Sequence, residues 1–105
     1  MNEHAHTIAR EFAQLLRERL GDRVKQVILF GSQARGDASE GSDYDVLVVV
    51  DERTKEIEEA VLDLDVEMMN RHEALMCSVI RDENEWRRME KFPIGWNIDK
   101  EGVAL

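Results

Sequence analysis

The segment DYDVLVVV, residues 43–50, constrains the fold more than any other part of this chain. From Val46 to Val50 it is apolar without a break and rich in β-branched side chains. Such a run reads as a strand, and a strand apolar on both faces needs cover on both, which makes it a central strand. The expected fold class is therefore α/β of the α+β kind, a small mixed sheet covered by helices. The chain has 105 residues, enough for one modest core, so one domain over residues 1–105 is expected.

The rest of the chain supplies that cover. Ile8, Phe12, Leu15, Leu16 and Leu20 recur at helical spacing and predict an amphipathic helix over 5–20, stopped at Gly21. VKQVILF, 24–30, predicts a strand. Residues 31–42, GSQARGDASEGS, have a loop's composition, with one helical turn expected from Ser32 as N-cap. That loop is too short for a full crossover, so the two strands are expected to be neighbours. A second helix is expected over 53–71, with Ile57, Ala60, Val61, Leu64 and Met68 inward and Asp51 as its cap. ALMCSVI, 74–80, reads as a third strand, and 82–91 as a helix capped by Asp82. Pro93 is expected to interrupt that helix; a short turn over 96–100 follows, ended by Gly102, with 103–105 as an edge strand.

Charge narrows the function classes. Fourteen basic against 23 acidic residues leave a net charge of -9. A domain that grips a nucleic-acid backbone alone shows a basic footprint instead, so no direct nucleic-acid grip is expected. No run approaches the ~20 apolar residues of a membrane helix, and MNEHAHTIAREF lacks a signal-peptide core. A single cysteine, Cys77, forms no internal disulfide, and a reducing, cytoplasmic setting fits.

Against this acidic background Asp43 and Asp45 stand one residue apart at the mouth of the apolar run. In an extended chain they project from the same side, ~7 Å apart at the backbone. Two carboxylates so placed repel each other, and either they point into water or a hard cation offsets the repulsion. Mg²⁺ takes a few carboxylate oxygens, some waters and the oxygens of a substrate phosphate. Twelve residues upstream of Asp43, Gly31 lets a backbone approach closely at a strand end, and Ser32 adds a hydroxyl. A P-loop is excluded, because Asp37 stands where the lysine after its second glycine must be.

The fifteen residues GSQARGDASEGSDYD resemble the signature of the DNA polymerase beta-like nucleotidyltransferase superfamily: Gly-Ser, ten residues, then Asp-x-Asp. The triplet Ala34-Arg35-Gly36 and Ser42 before the first aspartate are similar to its minimal nucleotidyltransferase (MNT) branch, small proteins often paired as antitoxins with a helical HEPN-domain partner. The resemblance implies a nucleotidyltransferase-like fold and transfer of a nucleoside monophosphate from an NTP, ATP foremost, to a hydroxyl. Gly31 and Ser32 would contact the triphosphate, and Asp43 and Asp45 would bind Mg²⁺. Arg35 would steady the loop by pairing with a carboxylate, or contact phosphate directly.

Active members of that family carry a third carboxylate on the next strand. Here Glu73 is the candidate, at the start of the expected strand and on the side of Leu75 and Cys77. Cys77 or Ser78 stands nearer the expected position; Asp65 and Glu67 lie inside a helix, and Asp82 at the strand's far end. The alternative is a catalytically weak or silent antitoxin, a binding module of the same fold. Cys77, Met68, Met69 and Met76 read as core, and His72 as a complement to a helix dipole. Trp86, Phe92 and Trp96 either roof the sheet or leave an apolar patch for a homodimer or another partner.

Overall fold

A computed structural model describes residues 3–36 and 43–105, with side chains from residue 6 onward. Residues 37–42 of the expected loop lie outside the described residues. Among these residues four strands form one sheet in the order β3-β2-β1-β4. β1 (Val24–Phe30) and β2 (Tyr44–Val50) pair antiparallel, as the short connection demands. β3 (Met76–Asp82) lies parallel to β2, reached through the long helix α3 (Lys55–His72). β4 (Val103–Ala104) pairs with the end of β1 and forms the other edge.

β2 is central, and its alternation divides the core. Val46, Val48 and Val50 turn toward α1 (Glu3–Leu20) and α3, where they pack with Phe12, Leu16, Ile57, Val61 and Met68. Leu47 and Val49 turn to the opposite face and meet Ile28, Trp86 and Ile98. That second, smaller layer is built by α4 (Glu83–Met89) and α5 (Pro93–Glu101). The unbroken apolar run thus has cover on both faces, as its sequence requires. No helix among the described residues is long and apolar enough to cross a membrane.

The helix boundaries correct several expectations. Thr54, not Asp51, caps α3, its hydroxyl accepting from the Ile57 N–H. Asp51 is held elsewhere: its N–H donates to the Arg23 carbonyl, which seats it at the end of β2. Asp82 does cap α4, in a reciprocal capping box with Glu85. Pro93 opens α5 instead of preceding a short turn, because a first-turn position has no intrahelical N–H bond to lose. The third strand begins two residues later than expected, because Glu73 closes α3 in a left-handed conformation (φ 54°).

Candidate active site

The site forms where β1 ends and β2 begins. Asp45 lies in register between Phe30 of β1 and Cys77 of β3. Immediately after Phe30 the chain turns through Gly31, whose φ of 74° belongs to glycine. A Cβ at Gly31 would come under 3.0 Å from Asp45 Oδ2. The Asp45 carboxylate therefore occupies space that exists only because residue 31 has no side chain. Gly31 also starts α2 (Gly31–Arg35), a single turn whose N-cap is Phe30 and not Ser32. Ser32 instead lies within the turn, and its carbonyl accepts from the Gly36 N–H at 3.0 Å.

Asp43 precedes β2 and is exposed. Between the two aspartates Tyr44 turns to the opposite face, where it joins the core beneath α1 and α3. Burial, and then the charge of Asp43, push the Asp45 carboxyl above its ordinary range, while the Arg35 guanidinium acts in the other direction. Arg35 itself reaches Glu101 Oε2 at 3.3 Å and so ties α2 to the end of α5. That contact is the carboxylate pairing expected for Arg35 from the sequence.

Cys77 meets one of its sequence readings and not the other: it stands beside Asp45 on β3, near the place expected for a third carboxylate. It reads as a core thiol, but it is only half-buried, and its Sγ lies 3.5 Å from Asp43 Oδ2. Burial and the adjoining carboxylates, Asp43 foremost, push the thiol up. On β3 Cys77 shares a side with Val79 and not with Ser78, and it lies in register with Asp45 of β2. Ser78 points the other way, toward α3, and donates to Asp65 Oδ1 at 2.7 Å. Burial pushes Asp65 up to about 6, and the bond from Ser78 only partly counters it. Glu73 is not on the strand: as the exposed cap of α3 it falls outside the alternation that was to align it with Leu75 and Cys77. Asp82 is at the distant end of β3, engaged with α4.

The donor set fits a hard divalent cation. Asp43 and Asp45 supply oxygens from one strand end, and the charge that Asp43 imposes on Asp45 is what a cation would relieve. Among the described residues no three His, Cys, Asp or Glu side chains already form a cage. Such an ion would complete its shell with water and substrate oxygens, the habit of Mg²⁺.

Known proteins resemble this chain over most of its length. The profile of the family described as "Nucleotidyltransferase domain" matches residues 9–101. A Methanocaldococcus jannaschii protein named "Putative protein adenylyltransferase" is 30% identical over 96 residues, covering 91% of this chain and 92% of that protein. A second protein of the same name and organism is 51% identical over 45 residues, 43% of this chain and 46% of its own. A Sulfolobus solfataricus structure described as "a putative nucleotidyltransferase" superposes with a TM-score of 0.55 at 25% identity, covering 98% of this chain and 80% of that one. At 15% identity, where only the fold is shared, an MNT antitoxin superposes with a TM-score of 0.57, covering 95% of this chain and 70% of that one. It was solved in complex with a tri-AMPylated HEPN toxin from Shewanella oneidensis.

Proposed function

This chain belongs to the nucleotidyltransferase domain family and is a nucleotidyltransferase, and from that premise we propose that it moves AMP from ATP to a hydroxyl on a partner protein, with Mg²⁺ at Asp43 and Asp45. The observation that carries the proposal is the fit of the Asp45 carboxylate into the space that Gly31 leaves empty, with Asp43 beside it.

In this reading Asp43 and Asp45 hold the ion and, through it, the triphosphate. Gly31 and Ser32 approach the phosphates, the first through bare backbone and the second through its hydroxyl. Arg35 keeps α2 in place through Glu101 and adds positive charge beside Asp45. The acceptor oxygen forms a bond to the α-phosphorus, and the bond from that phosphorus to the bridging oxygen breaks. Pyrophosphate leaves with the electron pair. The acceptor proton passes to solvent or to a base that the partner brings, because Glu73, the base expected from the sequence, stands at the exposed C-cap of α3 and not on β3. A bound Mg²⁺ neutralises charge on the phosphates.

A HEPN-domain protein is the partner we propose, supported by the solved complexes of similar fold. We seat it on Phe92, Ile94 and Trp96, which are 60%, 58% and 58% exposed. Of the two alternatives open for these aromatics, Trp86 takes the first and roofs the sheet, so it adds nothing to the exposed patch. A second copy of this chain is the other occupant that patch accommodates.

The test is transfer of label from α-labelled ATP to a candidate HEPN partner in the presence of Mg²⁺. Label on the partner, lost with Asp43→Asn and with Asp45→Asn, is the expected result. Transfer that survives both substitutions overturns the reading. One observation favours a second reading, a silent antitoxin: the register position beside Asp45 on β3 is a thiol and not a carboxylate. Tight partner binding without transfer, unaffected by either substitution, is its signature.

A further inference from the structure

β3 lies at one end of the sheet order, and among the described residues no strand pairs with its outer side. The Leu75 carbonyl accepts from the Tyr44 N–H, so the odd-numbered residues of β3 serve β2. Met76, Ser78 and Ile80 therefore turn their backbone N–H and C=O groups outward, an open template for another strand. Arg81 already covers part of it, its Nη1 donating to the Ile80 carbonyl at 2.6 Å. A cavity of about 420 Å³ lies against this edge, lined by Arg53, Glu58, Ser78, Val79, Ile80 and Arg81. α3 adds an apolar ridge beside it. Asp65 of α3 reaches Ser78 of β3, whereas Asp63 reaches Arg19 of α1 on the other side. Leu62 and Met69 stand one helical turn before and after Asp65, with Val66 between them, so the three follow the β3 side. All three are exposed, as is Leu75 at the foot of β3.

Charge selects the occupant of this edge. A two-fold axis that continues the sheet with its faces matched passes through Ser78, Val79 or Ile80. Through Ser78 it sets Arg81 of one copy opposite Leu75 of the other, and through Ile80 opposite Val79. Through Val79 it pairs Met76–Asp82 with itself from end to end and sets Arg81 opposite Cys77. There the Asp43 carboxylate lies 3.5 Å from Cys77 Sγ, and Asp45 stands in register beside it. The same axis brings the ridges of the two α3 helices toward each other. We propose that a second copy of this chain pairs antiparallel with β3 about a two-fold axis at Val79, and that each copy's Arg81 enters the Asp43–Asp45 site of the other. On pairing, Arg81 leaves the Ile80 carbonyl, which accepts instead from the Ser78 N–H of the second copy. Beside the carboxylates the guanidinium is placed to bind phosphate oxygens. That last role rests on the function proposed above; the edge pairing does not.

At the axis the two Val79 residues form a non-hydrogen-bonded pair, with Cα atoms ~4.5 Å apart and within disulfide reach. Cys77→Ser combined with Val79→Cys is therefore expected to give a covalent dimer under mild oxidation. The native protein, whose Cys77 faces Arg81 and not itself, is expected to give none. In sedimentation the reduced native protein is a dimer that dissociates on dilution. Val66→Glu, at a position exposed in the single copy, weakens that dimer on the order of tenfold or more by burying a charge. Arg81→Gln weakens it several-fold, and less so at high salt. A monomer at every concentration overturns the proposal. So does a dimer that neither Val66→Glu nor Arg81→Gln weakens, or one that the folded Val79→Cys variant fails to cross-link. If the dimer cross-links while ATP with Mg²⁺ fails to bind, the edge pairing stands and the nucleotide reading falls.

Discussion

At the scale of the residue, the site depends on an atom that is missing. Alanine at position 31 would place a Cβ in the space of the Asp45 carboxylate and force a side chain into a positive φ of 74°. Gly31→Ala is expected to cost about 1–3 kcal/mol in urea denaturation and to abolish Mg²⁺ binding by calorimetry. Gly21→Ala is its control: φ is also positive, at 59°, but the space around it is open, so only the backbone strain remains and the ion still binds. A second residue carries a pH signature. Asp65 sits at about 6 when folded, above its ordinary 3.8. A raised carboxyl favours the folded state while it is protonated, so its contribution is full below pH 3.8 and lost as pH rises through about 6. Asp65→Asn keeps an acceptor for Ser78 and removes the charge. It is expected to match the native protein near pH 4 and to exceed it by about 1–2 kcal/mol at pH 8, after solvent screening is allowed for. Equal stability at both values contradicts the assignment. The place of Asp45 near the start of a central strand was legible in the sequence, because the apolar run fixes that strand. The contact of Cys77 with Asp43 was not, because its neighbours depend on which strand lies alongside and in what register.

Among the elements, the interiors of the helices and strands were legible and their ends were not. The apolar stripe Ile57, Ala60, Val61, Leu64 and Met68 is buried as its spacing demands. Asp51 is the cap expected from the sequence, and Thr54 is the cap that forms. The contest is settled by the sheet, because the Asp51 N–H is taken by the Arg23 carbonyl at 3.0 Å. Thr54 is then free to cap, and its hydroxyl also accepts from Arg23 Nη2 at 3.2 Å. Thr54→Ala removes both contacts, and we expect a loss of about 1–2 kcal/mol on thermal or urea unfolding. Asp51→Ala retains the backbone bond, and a loss below about 0.5 kcal/mol is expected. Reversal of that order would return the cap to Asp51. The same competition explains Glu73. Its alignment with Cys77 assumed an extended chain, but α3 runs on to His72, whose ring Nε2 lies 3.0 Å from Glu11 Oε1 on α1. The helix keeps its last turn because α1 holds it, and that contact is invisible to periodicity.

Over the whole molecule, the two faces of the sheet are unequal, and the unequal division separates the two tryptophans. The face under α1 and α3 holds most of the core, whereas the α4–α5 face holds Ile28, Leu47, Val49, Trp86 and Ile98. The alternation of β2 made cover on both faces legible, but nothing in the sequence says which aromatic fills the smaller layer. Trp86 does so, at 3% exposure, while Trp96 on the next helix is 58% exposed beside Phe92 and Ile94. Gly95 permits this arrangement: a Cβ there would strike the Met89 carbonyl, so α5 packs against the end of α4 at a distance only glycine allows. Iodide, a water-borne quencher, is therefore expected to reach the fluorescence of Trp96 and not of Trp86. Trp86→Phe should leave almost all of the quenchable emission, and Trp96→Phe almost none. The same experiment reads the partner surface. If a HEPN-domain protein seats on Phe92, Ile94 and Trp96, its addition shields Trp96 and lowers the quenching constant of the Trp86→Phe variant. If a second copy of this chain covers the patch, quenching falls as the protein is concentrated, with no partner added. Quenching that responds to neither leaves the patch without an occupant and moves the partner interface elsewhere on the molecule.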